Sequence, residues 1–188
     1  MQVMTKLTKS KIILGIDPGT SIMGYGLIEV FSKTEMKLLQ YGVINLSKYD
    51  NHPIKLKKIF ERVLSLIDDY HPDEMALEAP FFGKNVQSML KLGRAQGAAM
   101  AAGLYRDIPI TEYAPRKVKQ SVTGKGTSSK EDVAAMIVRM LKIVEAPKLL
   151  DATDALGVAI CHHFQDGVVA SKGGSWKTFV SQNIERIK

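Results

Sequence analysis

Residues 11 to 17, KIILGID, are apolar without alternation and then stop on an acid, followed by Pro18 and Gly19. A strand with one wet face alternates apolar and polar residues. A strand without alternation is buried on both faces, which calls for a sheet with helices on each side. Two further strand-like runs follow, IMGYGLIEVF (22 to 31) and MKLLQYGVIN (36 to 45), joined by the short polar SKTE, the pattern of an antiparallel meander. Asp50, Asn51 and Pro53 then supply a helix start. Ile54, Ile59, Phe60, Val63, Leu64 and Ile67 recur at helical spacing until His71 and Pro72 stop the helix. The next strand, Glu74 to Glu78, again closes on an acid. A right-handed crossover makes it parallel to the first strand if the two are neighbours.

The second half reads as a long helix from Asn85 to Tyr105, a strand from Ile108 to Tyr113, and a short basic helix from Arg116 to Val122. TGKGTSS (123 to 129) has two glycines and no apolar side chain, and is expected to be a mobile loop carrying Lys125. Ser129 and Asp132 have the spacing of a capping box and open an amphipathic helix through Val133, Met136, Ile137 and Met140, which Pro147 ends. A last helix runs from Asp151 to Phe164. The order of elements predicts an α/β fold with a mixed five-stranded sheet: three antiparallel strands, then parallel strands, with helices on both faces. The expected organisation is an N-terminal extension (1–10), one domain (11–164) and a C-terminal tail (165–188) that has few core positions and holds the lone Trp176.

Of the 188 residues 45% are hydrophobic and 24% charged, which excludes wholesale disorder and a fibrous chain. No apolar run approaches the roughly 18 residues of a membrane span, and the N-terminus lacks the long apolar stretch of a signal peptide, so no membrane partner and a cytoplasmic location are expected. The single Cys161 forms no internal disulfide and reads as core filling. The charge is unevenly spread. Residues 81 to 130 hold nine cations (Lys84, Lys91, Arg94, Arg106, Arg116, Lys117, Lys119, Lys125, Lys130) against Asp107 and Glu112, which accounts for the whole net charge of +7. Such a stretch suits a polyanion, because phosphate contacts release condensed counterions, although a solvated basic face has the same composition.

Asp17 and Glu78 end strands expected to be central and parallel, so their carboxylates emerge at one edge of the sheet, where open α/β sheets place their sites. Asp151 and Asp154 lie three apart at the start of a helix and so share a face. Four converging carboxylates repel one another unless a cation joins them. Oxygen-only ligation favours Mg²⁺ or Mn²⁺, and two such ions about 4 Å apart are able to activate water and stabilise the leaving oxygen of a phosphodiester. Taken singly, each acid has a plainer use: Asp151 as an N-cap with Asp154 at N3, Asp17 as a turn residue before Pro-Gly. Glu78 resists such a use, because it sits between MAL and APFF, where a carboxylate must find a partner or shift its pKa. His162 and His163 fall at a helix end and read as dipole or capping residues.

GIDPGTSIMGYG, LEAPFFGKNVQSMLKLGRAQG, EYAPRKVKQSVTGKG and DATDALGVAICH together resemble, in order and in spacing from Lys11 to His163, the four blocks of the RuvC family of bacterial Holliday-junction resolvases, crossover-junction endodeoxyribonucleases of the ribonuclease H-like superfamily. The resemblance implies a homodimeric, Mg²⁺-dependent enzyme of DNA recombination and repair, with two ions per active site and Mn²⁺ able to substitute, that nicks two opposed strands of a four-way DNA junction. It implies the branch-migration proteins RuvA and RuvB as partners. By motif, Asp17, Glu78, Asp151 and Asp154 are the metal-binding acids, Phe81 an aromatic that stacks on unpaired junction bases, and Lys119 and Lys130 catalytic cations near the scissile phosphate. The helix from Asn85 to Tyr105 carries Gly93, Gly97, Ala98, Ala101 and Ala102 as a small-residue face for a second copy. Gln87, Lys91 and Arg94 on that helix, with Lys84, Arg116, Lys117 and Lys125, are expected to contact DNA. Residues before Lys11 and after Phe164 have no counterpart in the resemblance.

Two rival readings remain at this point. GIDPGT also suits the phosphate-binding hairpin of actin-like ATPases and sugar kinases, but those need a second glycine-rich turn that is missing here. A different structure-specific nuclease, or a non-catalytic junction- or RNA-binding module on the same fold, would share most of the pattern, and the presence of all four acids argues against lost catalysis.

Overall fold

A computed structural model describes residues 10–80, 85–144 and 150–165. Apart from Ser10 and Gln165, both terminal segments therefore lie outside the described residues. The elements are β1 (Lys11–Asp17), β2 (Ile22–Val30), β3 (Met36–Asn45), α1 (His52–Tyr70), β4 (Glu74–Glu78), α2 (Val86–Leu104), β5 (Ile110–Tyr113), α3 (Pro115–Thr123), α4 (Lys130–Met140) and α5 (Leu150–Gln165). The strands form one sheet in the order β3-β2-β1-β4-β5. The β1–β2 and β2–β3 pairs are antiparallel, and the β1–β4 and β4–β5 pairs are parallel. The mixed five-stranded sheet expected from the sequence is the one observed.

The unbroken apolar run of β1 serves two cores. Leu14 and Ile16 pack with Ile59, Val63 and Leu66 of α1 and Ala95 and Ala99 of α2 on one face. Ile13 packs with Val133 and Ile137 of α4 and Leu156 and Ile160 of α5 on the other. At two points the backbone of helix α5 touches the sheet directly. A Cβ at Gly15 would sit 2.1 Å from the Ala155 carbonyl oxygen, and one at Gly24 would sit 1.9 Å from that of Asp151. Glycine at these two positions is what lets the helix backbone reach the strands.

Local signals account for most boundaries. Helix α1 ends on His71 in the left-handed conformation (φ 48°). Asn85 caps α2 by accepting from the Ser88 N–H at 3.1 Å. The capping box of α4 is formed in full by Ser129 and Asp132. Three expectations need correction. The second strand stops at Val30, where the Phe31 N–H turns to the Glu35 carbonyl. The last strand begins at Ile110 rather than Ile108, because the Ile108 N–H closes the end of α2 on Gly103 and Pro109 has no N–H to give. Asp151 lies within the first turn of α5, which starts at Leu150, so it is not the cap. Pro147 lies outside the described residues, and α4 already ends at Met140. Among the described residues no helix is long and apolar enough to cross a membrane.

Candidate active site

The parallel pairing of Ile16 with Leu77 places the next residues, Asp17 and Glu78, side by side at the carboxyl edge of the sheet. Across the other side of β1, Asp17 pairs with Gly24. The bare Gly24 receives the Asp151 carbonyl, so the same close approach that seats α5 also brings its first turn to Asp17. Asp154, one turn along, is only 15% exposed and accepts a 2.6 Å hydrogen bond from Lys130 Nζ. Lys130 is the first residue of α4, fixed there by the capping box. Glu78, Asp154, Lys119 and Lys130 surround a pocket of about 270 Å³ with apolar walls of Pro115, Val118 and Val133. A smaller cleft of about 110 Å³, lined by Asp17, Pro18, Ala79, Pro80 and Leu92, meets the same Glu78 from the other side.

This geometry keeps protons on acids that would otherwise be ionised. Burial, followed by the nearby Glu78 and Asp154 carboxylates, pushes Asp17 up to about 8 despite an opposing pull from Lys130. Burial and Asp154 push Glu78 up to about 7, with Lys130 and Lys119 pulling the other way. The hydrogen bond to Asp154 in turn raises the pKa of Lys130. One or two lysines do not neutralise such a cluster, whereas a divalent cation placed among the carboxylates would. The donor set is hard oxygen without a thiolate, which fits Mg²⁺ or Mn²⁺ rather than zinc. As the side chains stand, no three His, Cys, Asp or Glu groups among the described residues are close enough to enclose one ion.

The remaining predicted residues fall into three groups. Gln87, Lys91 and Arg94 are exposed along α2, and Arg116, Lys117 and Lys125 are exposed on α3 and the loop after it. Lys119 and Lys130 are at the pocket. Phe81 and Lys84 lie outside the described residues.

Four features escape sequence reasoning. Gln96 is buried on α2 and places its amide between the Glu78 backbone carbonyl, at 3.5 Å, and the Glu112 carboxylate. The only signal for it is a polar residue in the inward phase of an otherwise alanine-rich helix. The loop 123–129 is held by the Thr123 and Ser128 hydroxyls, which are 2.8 Å apart, rather than loose. His162 is not a capping residue: it is buried, with Nδ1 2.7 Å from the Tyr113 hydroxyl and Nε2 on the Glu74 carboxylate. His163 meets the Lys33 carbonyl oxygen at 3.3 Å instead of capping α5. Cys161 is core filling, fully buried.

A ribonuclease H-like sheet with acids gathered at the carboxyl edge of its central strands defines a class of divalent-metal-dependent nucleases. The family model described as crossover junction endodeoxyribonuclease RuvC matches residues 13–162. The crossover junction endodeoxyribonuclease RuvC of Cytophaga hutchinsonii is 62% identical over 181 residues, covering 96% of this chain and 90% of that protein. That of Porphyromonas gingivalis is 57% identical over 187 residues, covering 96% and 98%. The structure of T. thermophilus RuvC in complex with Holliday junction substrate superposes with a TM-score of 0.75 at 29% identity, covering 84% of this chain and 96% of the other. The chain belongs to the RuvC family.

Proposed function

We propose that this protein resolves four-way DNA junctions by hydrolysing one phosphodiester in each of two opposed strands. The observation that carries this reading is the convergence of Asp17 and Glu78 from adjacent strand ends with Asp154 and Asp151 of α5, in a setting that raises the pKa of the first two. In this reading the four acids hold two Mg²⁺ ions, replaceable by Mn²⁺. When bound, the ions supply a polarised water and stabilisation of the leaving oxygen. Lys130, tied to Asp154, and Lys119, across the pocket, offset charge that grows on the phosphate in the transition state. The exposed Gln87, Lys91, Arg94, Arg116, Lys117 and Lys125, with Lys84, hold the backbone of the arms, and Phe81 stacks at the crossover.

A junction of near two-fold symmetry is served by two copies of the site, and the outward face of α2 supports a dimer. A Cβ at Gly93 or Gly97 would meet nothing within 4 Å, so neither glycine is needed by the chain's own packing. Val86, Leu90 and Leu104 on the same helix are 66%, 50% and 61% exposed. Of the small residues expected on that face, Ala102 is buried in the chain's own core and Ala98 packs half-buried against the same core, while Gly93, Gly97 and Ala101 are exposed. The family further implies RuvA and RuvB as partners in the cytoplasm.

The test is cleavage of a labelled four-way junction beside linear duplex of the same sequence, with and without Mg²⁺. Paired nicks in the junction alone, dependent on Mg²⁺, are expected. Equal cutting of the duplex would reassign the protein to a less selective nuclease, and junction binding without cutting would make it a binding module. Gly97→Leu should weaken self-association in sedimentation before it unfolds the domain.

A further inference from the structure

We propose that Thr123 is a positioning residue for both pocket lysines, acting through a hydroxyl clasp with Ser128. The inference rests on the reading of Lys119 and Lys130 as the cations that serve the reacting phosphate.

The two lysines arrive on different helices, Lys119 in the middle of α3 and Lys130 at the start of α4. Their separation is set by residues 124 to 129, a segment with two glycines and no apolar anchor. Gly124 leaves α3 in the left-handed conformation (φ 79°), so the turn out of the helix has no side chain to hold it. Hydroxyl groups do the holding. Thr123 Oγ1 lies 2.8 Å from the Lys119 carbonyl oxygen, 3.0 Å from that of Lys125 and 2.8 Å from Ser128 Oγ, and it accepts from the Lys125 N–H at 3.3 Å. A hydroxyl has one proton to give. The consistent assignment has Thr123 donating to one of the two carbonyls while Ser128 donates to Thr123.

The clasp is completed by one of the lysines. Lys119 Nζ donates to the Ser128 carbonyl at 2.8 Å. Ser128 is thus gripped through both its side chain and its backbone, and the next two residues are the cap of α4 and Lys130 itself. Loss of the Thr123 hydroxyl would leave Ser128 held through its backbone alone. The Lys119 ammonium would then lose a fixed acceptor, and the first turn of α4, with Lys130, would lose its registration against Asp154. Reacting groups displaced by as little as 1 Å lose about a hundredfold in rate, so a partial loosening should cost about tenfold.

The experiment measures junction affinity and single-turnover cleavage at saturating enzyme for the full chain. Thr123→Val, which keeps the shape and removes the hydroxyl, should lower the cleavage rate about tenfold with junction affinity unchanged within about twofold, and Thr123→Ser should restore the rate. Ser128→Ala should slow cleavage similarly, and the double variant should be no slower than either single one, since both remove the same clasp. Lys119→Ala and Lys130→Ala run alongside. If either lysine variant cleaves normally, the underlying reading of the lysines fails. If both are slow while Thr123→Val cleaves at the wild-type rate, the positioning role alone is overturned. It is likewise overturned if Thr123→Ser is as slow as Thr123→Val, if the losses of the two single variants multiply, or if affinity falls as far as the rate does.

Discussion

Helix α5 carries a polar cluster at each end, and the two are built on opposite terms. At its C-terminal end, over the amino edge of the sheet, His162 is buried and both of its ring nitrogens are partnered: Nδ1 on the Tyr113 hydroxyl, Nε2 on Glu74, with Glu74 also on Lys11 Nζ at 2.5 Å. At its N-terminal end, over the carboxyl edge, Asp151 and Asp154 face Asp17 and Glu78, and one lysine is hydrogen-bonded to one of the four acids. Both clusters are held by the same helix against the same strands. The first is polar chemistry brought to completion, which stabilises a fold. The second is polar chemistry left incomplete, and incompleteness maintained by a rigid frame is what a site for a cation and a phosphate requires.

The sharpest way to break the contrast is to remove one unresolved charge. Asp17→Asn should reduce junction nicking by about a thousandfold or more while leaving junction affinity near wild type, because the acids serve the reaction and the lysines and arginines serve the backbone. The same change should stabilise the metal-free protein. The Asp17 carboxyl moves from its ordinary 3.8 to about 8 on folding, so the native state holds its proton where the unfolded chain has released it. The contribution of Asp17 to stability is therefore least unfavourable at or below about pH 4 and worsens as pH rises toward 8, and Glu78, pushed up to about 7, adds to the same slope. Denaturant midpoints in a chelator at pH 5 and pH 8.5 should fall for the wild type and fall less for Asp17→Asn. Parallel slopes would show that the acids are not strained by one another. Added Mg²⁺ should raise the wild-type midpoint at pH 8.5 more than that of the variant.

The incomplete cluster was more legible in the sequence than the complete one. Glu78, an acid between MAL and APFF, has no plain local use and stands out by itself; Asp17, which could serve the turn before Pro18, stands out once it is seen to end the parallel neighbour of that strand. His162 carries no such signal: its partners Tyr113 and Glu74 are 49 and 88 residues away, and its position near a helix end invites a capping role that the packed structure overrides. The same distance problem hides Gln96, whose partners Glu78 and Glu112 are 18 and 16 residues away. Asp151 is a first-turn residue rather than a cap, and no local pattern shows that its carbonyl lies in close contact with Gly24 on another element. The pocket lysines could be read only from family resemblance, since a lysine in a basic run looks like any other until Ser128 and Asp154 are seen beside it.

That contact offers a second break, in the frame rather than in the charges. Gly24→Ala introduces a Cβ 1.9 Å from the Asp151 carbonyl oxygen, with the Asp151 carbonyl carbon 2.6 Å away, and helix backbone cannot rotate aside as a side chain would. The first turn of α5 must lift from β2, carrying Asp151 and Asp154 away from Asp17. Stability should fall by about 1 to 3 kcal/mol, and the cleavage rate of the folded protein by about ten- to a hundredfold. Retention of full cleavage by a folded Gly24→Ala protein would show that the acids tolerate displacement and that the rigid frame is unnecessary.

The smallest effect is expected at the far end of the helix. His162→Phe keeps an aromatic ring in the buried slot and removes both ring nitrogens, leaving the Tyr113 hydroxyl and one Glu74 oxygen without that partner while Lys11 still pairs with Glu74. A lost buried hydrogen bond of this kind costs about 1 to 3 kcal/mol, which a denaturant titration resolves. Tyr113→Phe removes the hydroxyl that meets His162, so the double variant should cost less than the sum of the two single ones. Junction cleavage by the folded fraction should stay within about twofold of wild type in all three, because the acids of the carboxyl edge are seated by Gly15 and Gly24 and not by the histidine. A cleavage loss larger than the unfolded fraction explains would mean that the two ends of α5 are mechanically coupled, and that the completed cluster tunes the incomplete one.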